Sequence, residues 1–311
     1  MKAIQYSRYG SPDVLDLVDL PAPVPAPDEA LIAVQCASVI PGDWKVRAGH
    51  LQEMFPLELP TIPGRDGAGI VVATGPDCDW ADVGDALCFV TEHVEPGSYA
   101  EIVARPRRMT VPKPAGISFA EASAMNHAGV CAWIGLVETA EIKSGQNVLI
   151  HACAGAIGGM AVQIARHIGC HVTATCSAVN ADYVRGLGAD RIVAYDREDF
   201  TSCISGQDVV FDLVGGDVHE RSCRALKKGG TIVWLIAAPF ENVSDQYGVV
   251  CRQAMIHDRR ETLEKVADAV GNGILIPQVS RTMPIGEAAQ AHRILESGDN
   301  SRGRIILKIG E

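Results

Sequence analysis

The rhythm of apolar and polar positions changes once along this chain, near residue 122. Before that point, short apolar or alternating runs are separated by turn residues. Residues 1–6, 30–39, 67–75, 83–90 and 97–104 read as strands. Prolines at 21, 23, 25 and 27 cannot supply ladder donors, so that segment is a loop. Short strands broken by turns predict a barrel-like β domain. Beyond residue 122, helical periodicity alternates with short apolar runs. Strands are predicted at 147–150, 171–175, 191–194, 208–213, 231–236 and 248–256, with helices near 158–168, 180–187 and 217–226. Such alternation implies a parallel sheet covered on both faces. A helix at 261–271, the segment 277–284, a helix at 286–297 and a strand at 304–309 close the chain. The last strand is β-rich again and is expected to rejoin the first domain.

One stretch organises the second half: Val148–Leu149–Ile150, then small residues from Ala152 to Gly159, then Ala161, Val162, Ile164, Ala165 and Ile168 at helical spacing, closed by Gly169. Strand, small-residue turn and helix form the opening of a dinucleotide-binding unit, in which helix N-terminal amides and dipole meet a pyrophosphate. The fingerprint G-x-G-x-x-G falls on Cys153, Gly155 and Gly158, so its first glycine is missing. Alone, the motif does not separate a nucleotide site from ordinary close helix–strand packing. Its place after the first strand of the alternating half favours the nucleotide reading.

Composition narrows the function. Thirty-eight acidic against 27 basic residues give a formal net charge of −11, which disfavours nucleic acid and anionic membrane surfaces as partners. No apolar run is long enough to span a bilayer, and the first residues lack a secretory h-region. The ten cysteines are scattered with no C-x-x-C, which speaks for reduced thiols in a cytoplasmic protein rather than disulfides or a zinc ribbon.

Several motifs then occur in a fixed order: Ala37-Ser-Val-Ile-Pro-Gly-Asp-Trp-Lys45, Pro63-Gly-Arg-Asp-Gly-Ala-Gly69, Val83-Gly-Asp85, Gly97-Ser-Tyr-Ala-Glu101, His151-Ala-Cys-Ala-Gly-Ala-Ile-Gly158, Leu187-Gly-Ala-Asp190, Asp212-Leu-Val-Gly-Gly216 and Arg302-Gly-Arg-Ile-Ile306. As an ordered set they resemble the medium-chain dehydrogenase/reductase superfamily, and most closely its zinc-free, zeta-crystallin-like quinone oxidoreductase branch. The resemblance implies an α/β chain: a GroES-like β-barrel domain over residues 1–122, a doubly wound Rossmann domain over 123–272, and a C-terminal return over 273–311. It also implies hydride transfer from NADPH to a quinone or an α,β-unsaturated carbonyl, and a homodimer joined through the edge strand near 248–256.

The site residues follow from the same resemblance. The catalytic zinc of other branches needs convergent Cys, His or carboxylate ligands. Its first two ligand positions fall on Ile40 and Arg65, and the structural zinc lobe has no cysteines between 90 and 110. No metal is therefore expected; His127 and Cys131, four residues apart, are a pair and not a site. The candidate catalytic residues are Asp43, Arg65 and Cys131, where Asp43 also suits the role of capping the turn at Pro41–Gly42. Ile40 and Cys131 stand where relatives carry polar residues. The candidate cofactor residues are Gly155, Ala156, Ile157 and Gly158 at the turn, Ser177 and Asn180 after the second strand, and Tyr195, Val214, Ala237, Ala238 and Arg304. An acid at the end of the second Rossmann strand would hold a ribose 2′-hydroxyl and select NAD. The strand ends Thr175-Cys176-Ser177, so a 2′-phosphate is admissible, although Asn180 stands in place of the usual lysine. Two alternatives stay open: an NADPH-binding protein of the same fold with little turnover, and a zinc-type alcohol dehydrogenase.

Overall fold

The structure, a computed structural model, describes residues 1–92, 94–235, 239–256 and 260–310. Along the first half run strands β1 (Lys2–Gln5), β2 (Asp16–Asp19) and β3 (Glu29–Val39), helix α1 (Pro41–Arg47), strands β4 (Asp66–Thr74), β5 (Ala86–Val90), β6 (Ile102–Pro106) and β7 (Thr110–Pro112), and helix α2 (Phe119–Trp133). Then follow β8 (Asn147–Ile150), α3 (Ala156–Ile168), β9 (His171–Cys176), α4 (Ala181–Gly186), β10 (Arg191–Ala194), α5 (Phe200–Cys203), β11 (Gln207–Asp212), α6 (Asp217–Ala225), β12 (Leu226–Trp234), α7 (Ser244–Tyr247) and β13 (Val250–Gln253). The chain closes with α8 (Arg260–Gly271), β14 (Val279–Pro284), α9 (Ala288–Glu296) and β15 (Arg304–Lys308).

Two compact units result. The first comprises Met1–His127, Asp258–Gly271 and Pro277–Glu311; the second comprises Ala128–His257 and Asn272–Ile276. These bounds differ from the sequence expectation in three places, one being that residues 273–276, expected in the C-terminal return, belong to the second unit. The division falls at 127/128 rather than 122/123, inside α2. The helix α8, expected with the Rossmann domain, belongs to the first unit. The reason lies in its first residue: the Arg260 guanidinium donates to the carbonyls of Arg107 and Thr110, at 2.9 and 2.5 Å, and so ties the helix to the start of β7.

The first unit is built on β3, whose alternating burial puts Ala30, Ile32, Val34 and Cys36 on the inner face. One edge pairs with β4 along its length; the other pairs with β6 near its start and with β15 near its end. The sheet thus runs β14-β15-β3-β4-β5-β7 with β6 as a branch, and two register shifts bend β3 against β4. The final strand joins this sheet, as its apolar run Ile305–Leu307 demands. Ile4, Tyr6, Val39, Tyr99, Ala288, Ile305 and Leu307 form one core beneath α9.

The second unit is a six-stranded parallel sheet in the order β10-β9-β8-β11-β12-β13. With β8 as strand one, this is the 3-2-1-4-5-6 order of a Rossmann fold, whose ligand crevice lies at the carboxyl ends of the strands where the order reverses, between β8 and β11. Leu149, Val193, Val210, Cys223, Ile232 and Val249 form one layer of its core. Gly169 closes α3 at φ 91°, a left-handed cap that a residue with a Cβ adopts only at a cost.

Candidate functional site

Within the second unit, the turn between β8 and α3 shows why its sequence is built of small residues. A Cβ placed on Gly158 would lie 2.3 Å from the Ala152 carbonyl oxygen, so only glycine fits. Gly155 caps α3 without any side-chain hydrogen bond, and its own N–H reaches the Ala152 carbonyl at 3.1 Å. The first N–H returned into the helix is that of Gly159, to Gly155 at 2.8 Å. The amides of Ala156, Ile157 and Gly158 therefore have no acceptor within the helix and point out of its N-terminus, the geometry that receives an anionic pyrophosphate. Cys153, at the missing first glycine of the fingerprint, turns inward. Its N–H bonds Thr175, its thiol bonds the Ile150 carbonyl at 3.0 Å, and burial raises the thiol well above its ordinary value. A small side chain is tolerated there because it faces the sheet and not the ligand side of the turn.

Beside the turn, at the ends of β9 and β10, Cys176 and Ala194 are in register and the Tyr195 N–H reaches the Cys176 carbonyl at 3.1 Å. This brings Ser177, Asn180 and Tyr195 to one corner. Asn180 is buried and its amide bonds Ser177 Oγ at 3.0 Å, so it serves to shape the loop. Tyr195 is 63 % exposed and available to a ligand. Two charges enter the same corner. The Asp196 carboxylate takes the Ala178 N–H at 2.8 Å, while Arg185 is paired with Asp182 at 2.5 Å. Neither engagement was readable from the sequence. Val214 follows β11, with its N–H on Asp212 Oδ1 at 2.8 Å. Ala237 and Ala238 lie outside the described residues. Below this rim sits His151, with Nδ1 3.0 Å from Thr175 Oγ1 and Nε2 2.9 Å from Ser222 Oγ; burial lowers it to about 4 and keeps it neutral.

The first unit gathers a separate cluster. Asp43 is the third residue of α1, and its Oδ2 accepts the Ile40 N–H and the Tyr99 hydroxyl, each at 2.9 Å. It is 4 % exposed, and burial raises its carboxyl to about 7 against the pull of those two hydrogen bonds. Asp66, fully buried, accepts from Ser38 Oγ and from the His127 N–H; burial raises it as well. Arg304 opens β15, is 3 % exposed, and lies close enough to favour the charged form of both carboxylates; its Nε and Nη2 make no hydrogen bond among the described residues. Arg65 is buried with its charge also favouring ionised Asp66, which agrees with a pairing to that acid, whereas Glu101 is occupied by the Lys2 N–H at 2.7 Å. Asp43 and Arg65, with Tyr6, Leu57, Ile62 and Glu95, line a narrow, solvent-open cavity. Cys131 belongs to the second unit, where it is buried on α2.

Residues 26–115 match the alcohol dehydrogenase GroES-like domain family, and residues 187–307 match a zinc-binding dehydrogenase family. A chloroplastic quinone-oxidoreductase homolog from Spinacia oleracea is 40 % identical over 228 residues, which span 71 % of this chain and 68 % of that protein. A chloroplastic NADPH-dependent alkenal/one oxidoreductase from Arabidopsis thaliana is 31 % identical over 320 residues, spanning 99 % and 79 %. The solved quinone oxidoreductase from Coxiella burnetii superposes with a TM-score of 0.90 at 33 % identity, covering 100 % of this chain and 99 % of that one. The chain belongs to the medium-chain dehydrogenase/reductase superfamily, in its quinone oxidoreductase branch. It is an oxidoreductase.

The turn at Gly155–Gly158 belongs to the Rossmann unit and the cluster around Asp43 to the GroES-like unit. Although one matching family carries zinc in its name, the buried Ile40 side chain has no donor atom, and among the described residues no group of three or more His, Cys, Asp or Glu side chains is placed to hold a metal ion. The turn fits a dinucleotide on the evidence of the outward amides at the start of α3, which the close packing of Gly158 against the Ala152 carbonyl holds in place. Tyr99, Asp66 and His292 extend the Asp43 cluster beyond the residues singled out from sequence. Tyr99 and Asp66 sit inside the quoted family motifs and were readable as markers. His292, with Nε2 3.5 Å from the Tyr99 hydroxyl, comes from 193 residues away and carries no local signal.

Proposed function

We propose that this oxidoreductase uses NADPH to reduce a quinone or an α,β-unsaturated carbonyl without a metal ion. The observation that carries the proposal is the β8–α3 turn, whose outward amides suit a dinucleotide pyrophosphate. The bound cofactor would supply a hydride. The amides of Ala156, Ile157 and Gly158 would hold the pyrophosphate. Tyr195 and Ser177 would border the adenosine ribose, where no acid ends β9; Asp196 at that corner tempers the preference for a 2′-phosphate. The names of the spinach and Arabidopsis relatives support the acceptor class.

In the first unit, Asp43 suits the proton that must follow a hydride. A carboxyl poised at about 7 carries a proton at neutral pH, and the Tyr99 hydroxyl holds it in place at the wall of the cavity. Arg65 lines the same cavity and would draw electron density toward a carbonyl oxygen. An alternative, a cofactor-binding protein with little turnover, is favoured by the apolar Ile40 near Asp43.

Absorbance at 340 nm with NADPH or NADH, against a panel of quinones and enones and with or without a chelator, tests the reading. Cofactor consumption that survives chelation and favours NADPH is the expected result. No consumption with any acceptor, or loss of activity on chelation, overturns it. Tight NADPH binding without turnover selects the alternative.

A further inference from the structure

The second unit holds another chain of titratable groups that the nucleotide turn does not use. The carboxylate of Asp212 ends β11, fully buried; its Oδ1 accepts the N–H groups of Val214 and Gly215 at 2.8 and 3.0 Å. Its Oδ2 lies 2.8 Å from Nδ1 of His219 on α6. With that ring nitrogen committed to the carboxylate, Nε2 faces the opposite way, and it lies 3.6 Å from the sulfur of Cys251 on β13. Phe240 stacks on the imidazole at a centroid distance of 3.6 Å and an interplanar angle of 21°, which fixes the plane of the ring. Carboxylate, imidazole and thiol thus stand in series: an orienting carboxylate, a ring that can carry a positive charge, and a nucleophile within reach of it.

Other thiols of this unit are placed differently. Cys153, Cys203 and Cys223 direct their sulfurs at backbone carbonyls, and the structural reading suffices for them. Cys251 directs its sulfur at a ring nitrogen and is only partly buried, on the face of the edge strand that looks toward α6.

The surrounding charges leave this series its own balance. From α6, Cys223 is pushed up to about 11 by burial and stays a neutral thiol, and Glu220 and Arg221 lie on the same helix. From the end of β8, His151 stays neutral. On α7, Asp245 and Tyr247 are exposed, and the Tyr247 hydroxyl takes Arg224 Nε at 3.0 Å. At the start of β12, Lys227 is paired with Asp208. Burial alone would lower His219, but the hydrogen bonds with Asp212 and Cys251 outweigh it and raise the ring to about 9. Asp212 is held below its ordinary value because the hydrogen bonds of His219, Gly215 and Val214 overcome the cost of burial.

We propose that Cys251 is a thiol-modification site for soft carbon electrophiles, α,β-unsaturated carbonyls foremost, with the protonated His219 ring holding its sulfur anion and Asp212 orienting that ring. The thiol gives up its proton to solvent, beside the positive ring. The sulfur lone pair then forms a C–S bond to the β-carbon, and the alkene π pair moves onto the carbonyl as an enolate. The proton on Nε2 of His219 passes to the α-carbon, and solvent returns one to the ring. Atoms and electrons balance as a net addition, with no oxidant or reductant. This electrophile class coincides with the proposed acceptors, yet the thiol's reactivity stands apart from that reading.

The test follows each cysteine of the full-length protein by peptide mass spectrometry during brief exposure to iodoacetamide and, separately, to 2-cyclohexen-1-one. Cys78 and Cys203, also partly buried, serve as internal references. Cys251 is expected to react at least about tenfold faster than either at pH 7, and to keep that rate at pH 6.5 while the references slow as their thiolate fraction falls. His219→Gln should bring Cys251 down to the reference rate. The wild-type pH profile decides the matter by itself if that variant does not fold. A Cys251 rate equal to the references, or one that falls with pH as theirs does, overturns the proposal. Because labelling is read without turnover, an inactive protein with a fast Cys251 overturns the proposed reduction and leaves this site standing.

Discussion

At the scale of single residues, burial decides more than type does. Asp43 is an ordinary carboxylate by sequence, but the closed surroundings that raise it to about 7 make it a proton carrier. Its proton is present below about 7 and lost above it, so the reductase rate should fall as pH rises through that value. Asp43→Asn should lower kcat by about 10- to 100-fold and remove that limb of the pH profile. A kcat profile unchanged in shape and height would remove Asp43 from the mechanism. His151 affects stability in the opposite pH range. Its ring is held neutral down to about 4, whereas an unfolded histidine titrates near 6.5. The unfolded chain therefore binds the extra proton between those values, so the stability is complete above pH 6.5 and declines as pH falls toward 4. The melting temperature should drop across that window, and His151→Gln, which retains hydrogen-bonding groups toward Thr175 and Ser222, should drop less steeply. It will not become flat, because burial lowers His292 to about 3 and pushes the same way.

At the scale of elements, the β8–α3 turn and helix α8 carry opposite lessons. The turn was legible because its composition is dictated by a close backbone approach that no side chain can share. Gly158→Ala forces a Cβ to within 2.3 Å of a carbonyl oxygen and must displace the start of α3. A loss of about 1–3 kcal/mol in stability is expected, by the usual cost of overpacking, together with weaker NADPH binding in calorimetry. Unchanged affinity would argue against this helix end as the pyrophosphate site. The sequence placed α8 correctly as a helix, but its apolar stripe does not say which sheet it covers. Its packing on β7, with Arg260 bonded to the carbonyls of Arg107 and Thr110, places it in the first unit. At helix α1 the pair Pro41-Gly42 predicts only a turn; its seven residues hold as a helix through the Asp43 carboxylate on the Ile40 N–H.

For the whole molecule, the open question is association. β13 is the last strand of the Rossmann sheet, with Val250 and Met255 exposed near it, so its outer edge has unpaired ladder groups among the described residues. Two copies pairing there would form a two-fold dimer. Light scattering after gel filtration should then give twice 33.0 kDa, and Gln253→Pro, at a position whose N–H faces the open edge, should shift it toward the monomer. A wild-type monomer would end that expectation. Cys251 faces α6 and not the edge, which keeps the thiol-modification proposal separate from this one.

The chain's periodicity by itself determined the alternating strands and helices of the second half, the β-rich first half and the return of the last strand, because burial on one or two faces leaves a period that can be read locally. The nucleotide turn was local too. What only the tertiary structure decided is which distant groups become neighbours and how deeply they are buried. Tyr99 joins Asp43 from 56 residues away and His292 joins Tyr99 from 193, and Asp212, His219 and Cys251 line up across three elements. Proton affinity follows from desolvation and neighbouring charge, and neither quantity exists until the chain has folded.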